Sequence, residues 1–281
     1  MKGIYMPKTQ KITTKNADFQ RFEVLLTNRN KRYRYGAFLV EGVRSLNKAR
    51  AEGWVFESFL YSFEGRLSDW AREMLANVPT EINYALTDSL MAELSGKEDT
   101  SELMAILKMR EDDADAIVAS LSDNPVIALF DRPSNRGNLG TIIRSADALG
   151  VEALILTGHA VDLYDPEVVI STMGSFFNLP VIRLSSGEEV DSLIAKLRAR
   201  YPDISLIGTT AHTDNMIYDA DMTKPTVFFI GNETDGLNRR YREICDTYVK
   251  IPMVEGSYAS SFNVGCAATV MFYEAVRQRN K

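Results

Sequence analysis

Two cysteines, Cys245 and Cys266, are all that the 281 residues contain. That is too few for a disulfide framework, and it sets the expectation of a reducing, cytoplasmic setting. Long apolar runs are also missing. The longest candidate, Val264 to Tyr273, has the length of a core helix, so no membrane span is expected. Lysines near the start are not followed by an apolar segment, which argues against a secretory signal. G-x-G-x-x-G, G-x-x-x-x-G-K-[ST] and G-x-S-x-G are all absent, so the usual dinucleotide, P-loop and hydrolase signatures fail. The two histidines, His159 and His212, stand in no zinc-like spacing with the cysteines, and no metal is expected. Asp112 and Asp113 read as solvated members of an acidic connector.

What is present is ordinary globular composition, 45% hydrophobic and 25% charged. At roughly 150 residues per domain, two domains are expected. The net charge of -6 hides an asymmetry. Residues 1 to 50 hold twelve Lys or Arg against three Asp or Glu, a local +9, which leaves the remainder at -15. One short run packs Arg29, Lys31, Arg32 and Arg34 around Tyr33 and Tyr35. Such a run suits phosphate neutralisation with aromatic stacking, and it equally suits a solvated charged face beside a turn. Composition leaves both readings open.

The pattern of the first region predicts a small α/β domain. Ala37 to Val40 and Phe56 to Tyr61 read as strands, and Val43 to Glu52 and Leu67 to Ala76 as amphipathic helices. Residues Met109 to Asp123 are rich in Asp, Ala and Ser and read as a connector, which sets expected domains of 1 to 118 and 119 to 281. From Pro125 onward, short apolar runs alternate with helix-period segments. The expected strands are Val126 to Phe130, Ala153 to Leu156, Val181 to Leu184, Ser205 to Gly208, Thr226 to Ile230 and Tyr248 to Ile251. Between them lie predicted helices at Leu139 to Leu149, Glu188 to Tyr201 and Asn238 to Cys245, with a last one at Asn263 to Gln278. Continuous apolar strands separated by helices predict a mainly parallel sheet covered on both faces, with ligands beyond the carboxyl ends of its strands.

Three of those strand ends lead into polar loops with glycine and asparagine. They read DRPSNRGNLGTIIRSADALG from Asp131, IGNETDGLN from Ile230 and IPMVEGSYASSFNVG from Ile251. Glycine lets backbone approach a ligand closely and supply N–H donors, asparagine tolerates left-handed conformations, and the three loops are candidates for one site. Each loop alone is also compatible with a tight structural turn.

In this order before a last helix, the three loops resemble the three motifs of the SpoU or TrmH branch of the SPOUT RNA methyltransferases. N-L-G-T-I-I-R-S-A-D-A-L-G-V is similar to the first motif, I-G-N-E-x-x-G-L to the second, and I-P-M with S-F-N-V to the third. The basic N-terminal region, with F-L-V-E-G-V-R, resembles the ribosomal-protein-like RNA-recognition domain that many members carry. The resemblance implies transfer of a methyl group from S-adenosylmethionine to a ribose 2'-hydroxyl of ribosomal or transfer RNA. It also implies a deep trefoil knot around the second and third motifs, and a homodimer.

Carried over residue by residue, the resemblance implies a cofactor site of Gly231, Asn232, Leu237, Ile251, Pro252, Met253 and Phe262. It implies catalytic roles for Arg144, Glu233, Ser261 and Asn263 and an RNA contact by Asn138, while RNA contacts by Arg29, Lys31, Arg32 and Arg34 are expected from the charge of their run. A guanidinium stays protonated, so Arg144 is assigned to the adjacent phosphate and the developing oxyanion, with Glu233 orienting it. Ser261 and Asn263 are assigned to positioning the hydroxyl or the cofactor. The chain departs from the family pattern at Phe262, Gly265 and Ile170, and its third-motif loop is one residue longer. Two competing readings are a non-catalytic RNA-binding or assembly protein on the same fold and a nucleotide-binding enzyme of another α/β family. The retained catalytic set opposes the first, and the basic N-terminal segment has no use in the second.

Overall fold

The computed structural model describes residues 7–95, 99–210 and 212–280, and divides the chain into two compact units. The first comprises residues 1 to 110 together with Tyr164–Phe177, and the second comprises Glu111–Leu163 and Asn178–Lys281.

The N-terminal unit is built from β1 (Lys8–Ile12), α1 (Ala17–Thr27), α2 (Arg29–Tyr35), β2 (Ala37–Glu41), α3 (Val43–Ala51), β3 (Phe56–Ser62), α4 (Asp69–Asn77), β4 (Ile82–Leu86), α5 (Asp88–Ser95) and β5 (Leu103–Lys108). Its five strands lie in the order β1-β4-β3-β5-β2, with β5 antiparallel to both neighbours. One face buries Phe19, Phe22 and Leu25 of α1 and Leu90, Met91 and Leu94 of α5. Elsewhere in the unit an aromatic cluster joins Phe38 and Trp54 to Tyr164 and Phe176, with ring centroids 4.8 to 5.8 Å apart.

The basic run forms a helix. Asn28 caps α2 by accepting from the Lys31 N–H, and Gly36, at φ 59, closes it in the left-handed conformation that glycine adopts without strain. Arg29 and Arg34 are exposed and Lys31 is half-buried, but Arg32 is only 2% exposed. The Arg32 guanidinium donates to the Leu25 and Leu26 carbonyls at 2.9 and 3.0 Å and lies 3.5 Å from the Asp165 carboxylate. Arg32 is therefore a structural residue of this unit, and it leaves the set expected to contact phosphate.

The C-terminal unit contains α6 (Ala114–Ser120), β6 (Val126–Asp131), α7 (Arg136–Ala148), β7 (Ala153–Thr157), β8 (Val181–Leu184), α9 (Gly187–Arg200), β9 (Ser205–Thr209), β10 (Thr226–Ile230), α10 (Arg239–Ile244), β11 (Thr247–Val249) and α11 (Val264–Arg279). Between β7 and β8 the chain contributes α8 (Pro166–Ser171) and a 3-10 turn to the N-terminal unit. All six strands pair in parallel, in the order β11-β9-β10-β6-β7-β8.

Alternation explains why these strands read as unbroken apolar runs. Ile127, Leu129, Ile155, Val227 and Phe229 pack with α9 and α10 in one core. The intervening Ala128, Phe130, Leu154 and Phe228 are also buried, and Phe228 meets Phe272 of α11. Both faces are covered, as a parallel sheet requires.

The connector differs from its expected solvated state. Asp112 accepts from the Arg183 backbone N–H at 3.0 Å and from its guanidinium at 2.5 to 3.1 Å, while Asp113 caps α6. β11 is shorter than expected because its pairing with β9 stops at Val249, leaving Ile251 outside the sheet.

Both tryptophans, Trp54 and Trp70, lie in the N-terminal unit, so their fluorescence reports on that unit. Arg32→Met should lower its stability by about 2 to 3 kcal/mol in urea unfolding. That is less than the full cost of orphaning a buried charge because Asp165 keeps some solvent access. An unchanged midpoint would show that the pair is energetically idle.

Candidate active site

The three loops lie at the carboxyl ends of β6, β10 and β11. In the first, Asn135 accepts from the Asn138 N–H and so caps α7. The second turns tightly after β10, with Asn232 and Gly236 exchanging two backbone hydrogen bonds of 3.0 Å. Gly231 is required at its root, because a Cβ there would stand 2.4 Å from the Leu237 nitrogen and 2.5 Å from the Gly236 carbonyl carbon. The Asn232 side chain accepts from Thr234 and Asp235 and fixes the turn further. In the third loop Asn263 caps α11, its Oδ1 accepting from the Gly265 and Cys266 N–H groups. Gly265 lets α11 lie against α7, since a Cβ would stand 3.0 Å from the Thr141 methyl.

Side chains from all three motifs join in one network. The Glu233 carboxylate accepts from the Ser134 N–H and hydroxyl at 3.0 and 2.8 Å, from the Asn135 N–H at 3.2 Å and from Asn138 Nδ2 at 3.2 Å. Asn138 in turn accepts from Asn263 Nδ2 at 3.0 Å. Burial pushes the Glu233 carboxyl upward, but hydrogen bonds from its own backbone and from Ser134 and Asn138 outweigh this and hold it below its ordinary value. It is a fixed anion beside the positive end of α7.

Other predicted residues are placed differently. Arg144 is exposed on α7, and among the described residues its side chain makes no hydrogen bond or ion pair. The expected Glu233 to Arg144 contact is not made, because the carboxylate is engaged at the start of α7. Ser261 is exposed, with no hydrogen bond among the described residues. Asn138, read as an RNA contact, spends one donor and one acceptor joining Glu233 to Asn263.

The cofactor residues divide. Leu237 is buried at 6%, Gly231, Asn232 and Ile251 are half-buried, and Pro252, Met253 and Phe262 are exposed. Among the described residues the backbone of Ile251 and Met253 has no internal hydrogen-bond partner. Unpaired backbone donors and acceptors beside the exposed apolar side chains of Met253 and Phe262 fit an adenosyl group, which needs both edge hydrogen bonds and apolar cover.

Sequence reasoning missed Asp131 and Arg132. Asp131 is fully buried at the end of β6 and accepts from Thr157, from Arg132 and from the Asn238 N–H. The only sequence signal was a charged pair at a strand end, which reads as the start of a loop. Among the described residues no cluster of His, Cys, Asp and Glu is arranged to hold a metal, and no helix is long and apolar enough to cross a membrane.

This fold and loop arrangement is that of a SpoU-type methyltransferase joined to a ribosomal-protein-like domain. The SpoU rRNA Methylase family matches residues 125–273, and the SpoU L30e-like domain matches residues 16–105. The chain belongs to the SpoU rRNA methylase family. It is 47% identical over 279 residues to the 23S rRNA (uridine(2479)-2'-O)-methyltransferase of Streptomyces viridochromogenes, covering 99% of this chain and 96% of that one. The SpoU methyltransferase AviRb of that organism, solved in complex with AdoMet, superposes with a TM-score of 0.87, 47% identity and coverage of 95% and 99%. The 23S rRNA (guanosine(2553)-2'-O)-methyltransferase RlmP of Bacillus subtilis is 25% identical over 274 residues, 97% of this chain and 98% of that one.

A depressed carboxyl contributes stability that is fully present above its unfolded value and is lost as pH falls through the folded value. The stability difference between the wild-type chain and Glu233→Gln should therefore stay constant from pH 6 to 8. Below about pH 4.3, the ordinary glutamate value, it should shrink. Denaturation at a series of pH values checks this, and a difference that grows on acidification would refute the ionised assignment.

Proposed function

We propose that this chain transfers a methyl group from S-adenosylmethionine to a ribose 2'-hydroxyl of ribosomal RNA. The observation that carries the reading is the network Glu233–Asn138–Asn263, which joins one residue from each motif loop at the sheet's carboxyl edge. The extent of similarity to the Streptomyces enzyme supports the same reading. Gly231, Asn232, Leu237, Ile251, Pro252, Met253 and Phe262 hold the cofactor, which when bound supplies an electrophilic methyl group on a sulfonium.

The protein's own part is positioning and charge. Arg144, exposed and without a side-chain hydrogen bond or ion pair among the described residues, grips the phosphate beside the target nucleotide and stabilises charge developing on the 2'-oxygen. Ser261 and Asn263 orient the hydroxyl, Asn263 through the second amide hydrogen, the first being held by Asn138. Glu233 keeps the loops in register from behind.

Four further elements belong to this proposal. The N-terminal unit, which ends at Arg110 rather than at the expected 118 and includes Tyr164–Phe177, forms the RNA-recognition half, and the other unit the methyltransferase half. Exposed Val270 and Tyr273 on one face of α11, beside the helix carrying Arg144, support a homodimer whose partner covers them. The trefoil knot around the second and third motifs rests on family membership. A ribosomal RNA substrate fits a cytoplasmic setting.

In α2, Arg29, Lys31 and Arg34 contact phosphate. Tyr33 and Tyr35 remain 37% and 42% exposed for stacking, although Tyr33 also meets Tyr164 and Tyr35 lies under Arg21.

Tritium transfer from labelled S-adenosylmethionine to unmodified ribosomal RNA tests the activity, and no incorporation would favour a non-catalytic assembly role. In that assay Arg144→Ala should lose about 10² to 10³ in rate, the usual effect of removing one preorganised donor. Arg144→Lys should recover little, because an ammonium lacks the fork, and near-normal turnover in it would overturn the role. Asn263→Asp keeps the cap oxygen while removing the donor. Mixing it with Arg144→Ala should restore activity if a dimer shares its sites.

Neutralising Arg29, Lys31 and Arg34 together should weaken RNA binding. It should also make the slope of log affinity against log salt shallower by up to about 0.7 to 0.9 for each phosphate that is no longer neutralised. An unchanged slope would return the run to a solvated helix face.

A further inference from the structure

Asp131 and Arg132 have no part in the chemistry above, yet they grip the cofactor loop on both arms. Asp131 is fully buried as the last residue of β6. Its carboxylate accepts from Arg132 Nε at 3.0 Å and Nη2 at 2.9 Å, from Thr157 Oγ1 at 3.0 Å and from the Asn238 N–H at 2.9 Å. One buried anion thus ties together the ends of β6 and β7 and the far arm of the β10 turn.

Arg132 extends the grip to the rest of the turn. Its carbonyl accepts from Asn232 Nδ2 at 2.7 Å, on the near arm. On the far arm its guanidinium reaches the Gly236 carbonyl at 3.4 Å and the Asp235 carboxylate at 3.6 Å. To do this the residue adopts φ 47, a left-handed conformation that side chains other than glycine rarely take. Gly158 leaves room for it, since a Cβ there would stand 2.9 Å from Arg132 Cγ. Turn geometry alone would favour glycine at position 132, so the strained arginine must be held by what its side chain binds.

We infer that Arg132, locked by Asp131, is a positioning residue that holds the Gly231–Asn238 turn in its cofactor-binding shape. It acts through the Gly236 carbonyl and the Asn232 side chain and touches no reacting atom. The inference rests on the cofactor site proposed above and adds the clip that preorganises it.

Arg132→Gly removes the side chain while relieving the backbone, and the split between kcat and cofactor KM then separates positioning from a general loss of stability. Calorimetry should show S-adenosylmethionine binding weakened about ten- to hundredfold, the worth of a charge-assisted hydrogen bond, and the melting temperature should also fall, because Asp131 stays buried without its counter-ion. At saturating cofactor kcat should fall little while the cofactor KM rises. In the cofactor-free protein, hydrogen exchange at Gly236 and Asn238 should accelerate. Arg132→Lys should recover part of the affinity, and Asp131→Asn, which keeps the volume but frees the guanidinium, should lose less than Arg132→Gly. If Arg132→Gly fails to fold, these two variants decide by the same readouts. Unchanged affinity with unchanged exchange would overturn the clip. Accelerated exchange with unchanged affinity would uphold the clip and overturn the placement of the cofactor at this turn.

Discussion

The site depends on one electrostatic constraint, an ionised carboxylate placed at the start of a helix by a different strand. Glu233 belongs to the turn after β10, yet its acceptors are filled by Ser134, Asn135 and Asn138 at the start of α7. Helix starts carry unsatisfied N–H groups and partial positive charge, so the carboxylate and the helix complete each other. Asn138 passes the constraint to Asn263, which caps α11 with its remaining oxygen. A single chain of polar contacts therefore fixes the relative placement of three loops that sequence separates widely. Residues in such a chain couple, and their substitutions are not expected to add.

Much of this architecture was legible in the sequence because its physical origin is local. Runs such as Val126–Phe130 and Thr226–Ile230 are apolar without interruption because both faces of a parallel strand are covered, and they became β6 and β10. The helices after Asn135, Asn238 and Asn263 were likewise expected within a few residues, although the structure adds that each of these side chains caps its helix.

What escaped the sequence depends on partners far along the chain. One arginine in a run of four basic residues is buried because Asp165 lies 133 residues away, and no local pattern separates it from Arg34. Asp112 resembled any exposed acid until Arg183, 71 residues later, took up both its oxygens. Residues Tyr164–Phe177 fall between two strands of the C-terminal sheet and yet belong to the N-terminal unit. There Trp54 donates to the Phe177 carbonyl, and aromatic packing outweighs chain proximity.

The two halves of the site are prepared to different degrees, and the difference has thermodynamic consequences. Asp131, Arg132, Glu233, Asn138 and Asn263 are already hydrogen-bonded, so little reorganisation is required of them when RNA arrives. The segment from Pro252 to Phe262 is exposed throughout, with Val254 at 81% and Tyr258 fully in solvent. An exposed loop carrying these apolar side chains gains by burial, through the entropy of released water, and burial of that kind carries a negative heat-capacity change. Ordering it opposes that gain through lost conformational freedom. Affinity for whatever covers this loop is thus the difference between two sizeable terms, while the geometry at Glu233 and Asn138 is set beforehand. On the proposed reading, binding of what covers the loop is governed by burial against ordering, whereas Glu233, Asn138 and Asn263 are placed by hydrogen bonds that exist beforehand.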